Sequence, residues 1–325
     1  MKTLLIAALL SFGLSVSCAF VGLPILRKIK AGQTVLGYVK EHKHKNGTPT
    51  MGGLLFILPS VIIYFIAGQA RIANVAVVIG IAFMLVGFID DFIKIKLKHN
   101  EGLKPYQKII FQLAISLIAG VFCYQNGITV FHLPFVAKSI DLQWGTIPLV
   151  AVIFIATTNC VNLTDGLDGL ASSVSIIYFV IITVLIGLQV EFMPDIYLKA
   201  GEYQSLRLLS ICLSGGILTF LLFNVNKASV FMGDTGSLSL GGFIAAISIF
   251  SSNSFFIPII GIMFVLSGIS VIMQVLHYKR TKKRIFLMAP LHHHFQLKGK
   301  SETQISYGYL VVTVVFGTLS LIAYA

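Results

Sequence analysis

The chain has 325 residues, of which 56% are hydrophobic and 11% charged, with a formal net charge of +12. Soluble domains carry roughly 25% charged residues, so the composition excludes an ordinary water-soluble domain and points to the bilayer. Without water to satisfy backbone groups, spanning segments are helices or a closed barrel, and the uniformly apolar runs exclude barrel strands, whose residues alternate.

Ten apolar runs follow one another along the chain, at 4–26, 53–68, 72–89, 109–124, 145–157, 170–190, 208–223, 238–250, 255–276 and 305–324. Several approach the ~20 residues that cross the hydrocarbon core as a helix; the two short ones, starting at Gly145 and Leu238, borrow flanking residues. The first twenty residues resemble a signal peptide ending near Cys18, but the apolar run continues past that point and joins nine others, so it reads as a retained span. No repeat, low-complexity tail or linker divides the chain, and residues 1–325 read as a single polytopic domain. The four cysteines are scattered without a CxxC pair, which implies neither disulfide nor zinc. The expected fold is an all-α integral membrane protein of about ten transmembrane helices.

If all ten runs span, one set of loops holds 19 of the 24 basic residues, among them Arg27, Lys45, Lys94, Lys108, Lys227 and the Lys279–Arg284 cluster. The positive-inside rule places those loops in the cytoplasm and both termini outside. This bias, with attraction to anionic membrane lipids, accounts for the net charge without a nucleic acid partner.

Eight of the twelve acidic residues fall on that same side, and five are aspartates at or just beyond the end of an apolar run. Asp90 and Asp91 close the third run in "GFIDDFIK"; Asp165 and Asp168 sit in "NCVNLTDGLDGLA"; Asp234 sits in "VFMGDTGSLSLGG". Each has a plain structural alternative. The pair can mark a helix end, although acid at a C-terminus opposes the helix dipole; Asp165 or Asp168 can cap the sixth helix; Asp234 can be a turn residue. Gathered by helix packing, however, several carboxylates repel and demand a cation. Aspartate oxygens suit Mg²⁺, which usually binds one or two carboxylates plus substrate phosphates. Nearby lysines hold phosphate as point charges. The expectation is a metal-dependent site for a phosphorylated substrate at the cytoplasmic membrane surface.

Two further stretches join this set. "KNGTPTMGG" offers Lys45 and Thr50 as a cation and a hydroxyl for a nucleotide or phosphate, or is an ordinary entry to a helix. "PLHHHF" carries His292, His293 and His294, which point in different directions on a helix and so suit hydrogen bonds to phosphate or sugar better than one shared metal.

In that order among ten spans, "GTPTMGG", "GFIDDFIK", "NCVNLTDGLDGLA", "VFMGDTGSLSLGG" and "PLHHHF" resemble the phospho-N-acetylmuramoyl-pentapeptide-transferase family, within the polyprenyl-phosphate sugar-phosphate transferases. The likeness covers essentially the whole chain. It implies a multi-pass enzyme of the bacterial cell membrane that moves phospho-MurNAc-pentapeptide from UDP to undecaprenyl phosphate with Mg²⁺, giving lipid I and UMP. It also implies a homodimer. Carried over residue by residue, it makes Asp234 the Mg²⁺ ligand, Asp90 the base acting on the lipid phosphate and Asp91 its supporting neighbour. Asn162, Asp165, Asp168, Asn224 and Phe231 then line the nucleotide pocket, with Phe231 stacking on uracil. Lys45, Thr50 and Lys108 lie near uridine and phosphates, and His292 supports activity beside His293 and His294. The family commonly has an acidic residue where Gln296 stands, and often tryptophan where Lys300 stands. Two rival readings remain: a UDP-GlcNAc:polyprenyl-phosphate GlcNAc-1-phosphate transferase, against which the histidines argue, and an ion-coupled transporter, whose site belongs near the bilayer midplane rather than at one end.

Overall fold

The computed structural model describes residues 1–29, 47–97, 102–136, 138–192, 200–225 and 227–323. Among them lie α1 (Lys2–Lys28), α2 (Leu54–Ala67), α3 (Arg71–Leu97), α4 (Pro105–Gln125), α5 (Thr146–Thr164), α6 (Leu170–Phe192), α7 (Ala200–Asn224), α8 (Gly233–Phe250), α9 (Ile257–Ile260), α10 (Ile262–Thr281), α11 (Leu291–Leu297) and α12 (Glu302–Ile322). Nine of these are long and apolar enough to cross a membrane, and α2 is a shorter apolar helix of 14 residues. The only sheet among the described residues is a short antiparallel hairpin, β1 (Val130–His132) with β2 (Ser139–Asp141), which the run pattern did not announce. The fold is therefore the all-α integral membrane architecture expected. α1 runs unbroken through Cys18.

Helix α8 is the axis of the bundle. Every residue from Thr235 to Phe250 is buried, with α3 and α5 packed against it. Small residues make this approach feasible, as they do generally between membrane helices: a side chain at Gly87 of α3 would strike the Asp234 carbonyl, and one at Gly53 would strike Gly236. The outer helices keep apolar faces exposed, for example Ile110, Phe111 and Ile118 on α4, as lipid contact requires.

Three boundaries differ from the apolar runs. α5 continues to Thr164 and α8 begins at Gly233, so Asn159, Asn162 and Asp234 are helical. Hydropathy loses these turns because they carry hydroxyls and amides, yet such groups are satisfied inside a helix: Thr158 Oγ1 donates to the Phe154 carbonyl at 2.8 Å and Ser237 Oγ to that of Gly233 at 3.0 Å. The run from Phe255 breaks into α9 and α10 at Gly261, just after Pro258.

Candidate active site

The C-terminal half of α3, the first turns of α4 and α8 and the last turns of α5 converge at one end of the bundle. There α3 brings Asp90, Asp91 and Lys94, α4 brings Lys108, α5 brings Asn162 and α8 brings Asp234. Lys94 Nζ lies 2.6 Å from Asp90, 2.9 Å from Asp234 and 3.9 Å from Asp91. Lys108 Nζ lies 3.1 Å from Asp90 and 2.6 Å from Asp234. On the other oxygen, Asp234 accepts from the Asn162 amide at 2.6 Å, and that amide also reaches Ser237 Oγ at 2.8 Å.

The two adjacent aspartates do different things. Asp91 faces α8 and accepts from the backbone N–H of Asp234 and of Thr235 and from the Thr235 hydroxyl, at 3.3, 2.9 and 2.7 Å. It therefore satisfies the free N–H groups at the start of a buried helix. Asp90 faces α4 and accepts from the Leu103 N–H at 2.8 Å besides pairing with both lysines. Gly233 makes the junction feasible: its φ is +72°, and a side chain there would collide with the Asp91 carboxylate and the Thr50 hydroxyl. Thr50 is buried beside this junction, on a strand-like segment that pairs with the residues before α8. Phe231 N–H donates to the Pro49 carbonyl, and Gly52 N–H to that of Phe231.

Asp90, Asp91 and Asp234 each present a carboxylate oxygen, all within 4.8 Å of one another. An all-oxygen, anionic donor set fits a hard divalent cation such as Mg²⁺. Asp91 is largely committed to the α8 backbone, which leaves Asp234 and Asp90 as the carboxylates turned toward the lysines.

Asp165 ends α5, and its carboxyl is held well above the usual carboxylate range by desolvation and then by the charges of Asp234, Asp91 and Asp168. Asp168 and Asn224 lie under this turn and tie it down. Asp168 accepts from Ala228 N–H at 3.1 Å, while its own N–H donates to Glu302. Asn224 accepts from Gly169 N–H at 3.0 Å and donates to the Val230 carbonyl at 2.9 Å. The histidines divide as their helical positions require. His292 is fully buried against Gly166, with neither ring nitrogen bonded among the described residues. Burial, then His293, holds its ring well below the ordinary histidine range, so it is neutral. His293 contacts Gln296 Oε1 at 3.1 Å. His294 turns away and accepts from Leu287 N–H at 3.1 Å. Lys45 lies outside the described residues.

Lys94 was legible only as part of the positive loops, although its i+4 spacing from Asp90 is the signal that joins them on one helical face. Thr235, Ser237 and Glu302 carried no comparable signal, because their partners are more than seventy residues distant or on other elements.

A bundle of membrane-long helices that gathers aspartates and lysines at one end defines an integral membrane transferase of phosphorylated substrates, and residues 72–252 match the model of glycosyl transferase family 4. Residues 45–57 match phospho-N-acetylmuramoyl-pentapeptide-transferase signature 1. Curated phospho-N-acetylmuramoyl-pentapeptide-transferases align over nearly the full chain. That of Clostridium botulinum (strain Alaska E43 / Type E3) is 40% identical over 99% of this chain and 96% of its own. That of Acetivibrio thermocellus is 38% identical over 97% and 93%, and that of Halalkalibacterium halodurans 38% over 98% and 97%. The chain belongs to the phospho-N-acetylmuramoyl-pentapeptide-transferase family.

Proposed function

We infer that this chain transfers phospho-N-acetylmuramoyl-pentapeptide from its UDP carrier to undecaprenyl phosphate, forming lipid I and UMP for peptidoglycan synthesis. The observation that carries the reading is the Asp90–Lys94–Lys108–Asp234 cluster at one end of the helices. A transporter site belongs near the midplane. The basic loops flank that end, which supports its assignment to the cytoplasm and the termini to the outside.

An oxygen of the lipid phosphate attacks the sugar-bearing phosphorus of the UDP substrate, and the bond to the bridging oxygen breaks to release UMP. Such transfers depend mainly on positioning and charge neutralisation. Asp234 and Asp90 would hold Mg²⁺, which would supply a Lewis acid for the diphosphate. Lys94 and Lys108 neutralise the phosphates. Asn162 orients Asp234, and Asp91 fixes the start of α8 on which Asp234 stands. Asp165, Phe231, Thr50, His293 and the neutral ring of His292 line the nucleotide and sugar side, while Asp168 and Asn224 hold its walls. His294 orders the preceding loop.

For Asp90 a positioning role has specific support. Its carboxylate already meets Leu103 N–H and two ammonium groups, and a phosphate whose second pKa is about 6 is largely ionised at neutral pH without a base. Asp90→Asn with turnover within a few-fold of wild type would favour positioning; loss that raising the pH recovers would favour a base.

The deciding experiment is UMP release by the purified protein with undecaprenyl phosphate and either UDP-MurNAc-pentapeptide or UDP-GlcNAc. Metal-dependent UMP from the muramoyl donor alone is the expected result. Turnover with UDP-GlcNAc alone would move the chain to the sibling activity.

A further inference from the structure

One helical turn further into the bundle than the carboxylates lies a second polar pair. Gln112 follows Lys108 by four residues on α4, and Asn159 precedes Asn162 by three on α5, so each stands on the same helical face as a residue that bonds Asp234. The two meet directly. Asn159 Nδ2 donates to Gln112 Oε1 at 2.7 Å and to the Ile155 carbonyl at 2.7 Å.

This geometry fixes which end of Gln112 is free. A backbone carbonyl only accepts, so the Asn159 atom touching Ile155 is its nitrogen; the Gln112 atom facing that nitrogen is therefore its oxygen. What remains is the Gln112 amide nitrogen, fully buried and without a partner among the described residues. A buried donor left unbonded costs about 1–3 kcal/mol, so the position calls for an acceptor that arrives with a ligand. A metal-bound water donates rather than accepts, whereas a phosphate oxygen is a strong acceptor for such a donor.

The surroundings decide whose oxygen it is. Asn159 is only half-buried, and one and two turns away on its stripe stand Ala156 and Val152, both exposed. On α4 the flanking Ile109, Ile110, Phe111 and Leu113 are exposed as well. The pair thus stands between the lipid-facing surface and Asp234, on the bilayer side of the lysines. A water-soluble nucleotide comes from the opposite side. We propose that Gln112, its amide oriented by Asn159, donates to the phosphate of the acceptor lipid as it enters from the bilayer side and so places the attacking oxygen beside Asp234. This rests on the transferase reading above.

The test compares Gln112→Leu and Gln112→Glu in steady-state UMP release, varying undecaprenyl phosphate and the UDP donor separately, with thermal unfolding as the control for folding. Glutamate keeps the oxygen that Asn159 bonds but replaces the donor by an acceptor. A purely structural role lowers the melting temperature of either variant, most where a carboxylate is buried, without separating the two KM values. The proposal expects them to separate: the acceptor KM rises about tenfold in Gln112→Leu and further in Gln112→Glu, while the donor KM stays within about twofold. An unchanged acceptor KM in Gln112→Glu, or a parallel rise in both KM values, overturns it. Wild-type protein that releases no UMP from either donor overturns the transferase reading and this proposal together.

Discussion

The Asp91 carboxylate on α3 accepts from the backbone N–H and the hydroxyl of Thr235 on α8, at 2.9 and 2.7 Å. One side chain thus joins the two most closely packed helices and fixes the turn that carries Asp234. Asp91→Ala leaves buried donors at the start of α8 unpaired and should cost about 3 kcal/mol. Asp91→Asn keeps one acceptor oxygen and should cost less. Thermal unfolding in detergent checks this; equal melting temperatures for wild type and Asp91→Ala would refute it.

Lys94 bridges Asp90 and Asp234 from the same helix as Asp90. Lys94→Met should lower kcat for UMP release by about a hundredfold, the scale of a lost electrostatic partner at a reacting group. Retention of more than half the wild-type rate would remove Lys94 from the phosphate-handling role.

Metal dependence should centre on Asp234. EDTA should abolish UMP release and added Mg²⁺ should restore it. Asp234→Asn should lose Mn²⁺ binding, read by electron paramagnetic resonance, and fall by about a thousandfold in kcat. Undiminished Mn²⁺ binding by that variant would place the metal elsewhere.

His292 gives a pH dependence of defined sign. Its ring is held neutral in the folded chain, below the ordinary value, whereas the unfolded chain takes up a proton below about pH 6.5. Stability from the neutral ring is full above that pH and falls as the pH drops through it. Wild-type melting should therefore decline more steeply than that of His292→Gln between about pH 7.5 and 5.5. Parallel declines would mean that the ring takes up its proton as readily in the folded chain as in the unfolded one.

Gly233 combines a positive φ with contact against Asp91 and Thr50. Gly233→Ala should destabilise the protein by about 1–3 kcal/mol and depress activity more than stability, because Asp234 follows directly. A variant with wild-type melting and turnover would show that this junction has room to adjust.

Much of the protein was legible in its residues, because the bilayer allows few solutions. Long apolar runs without water to bond their backbone must become helices, and the one-sided distribution of lysines and aspartates pointed to one working end. Chemistry-bearing residues such as Asp90, Asp234 and Lys108 stood out because charge is costly in a membrane. What the sequence could not supply was which groups face each other. Asp90 and Asp91 are neighbours in the chain, yet successive helical residues point about 100° apart, so one meets Lys108 on α4 and the other the backbone of α8. Asn162, Asp234 and Ser237 meet across more than seventy residues. Gln112 and Asn159 gave no signal, since a buried amide differs from an exposed one only in what packs around it. Helix formation is a local property of composition and solvent; the pairing of side chains is decided by helix packing, where small residues such as Gly87 set how closely the helices approach.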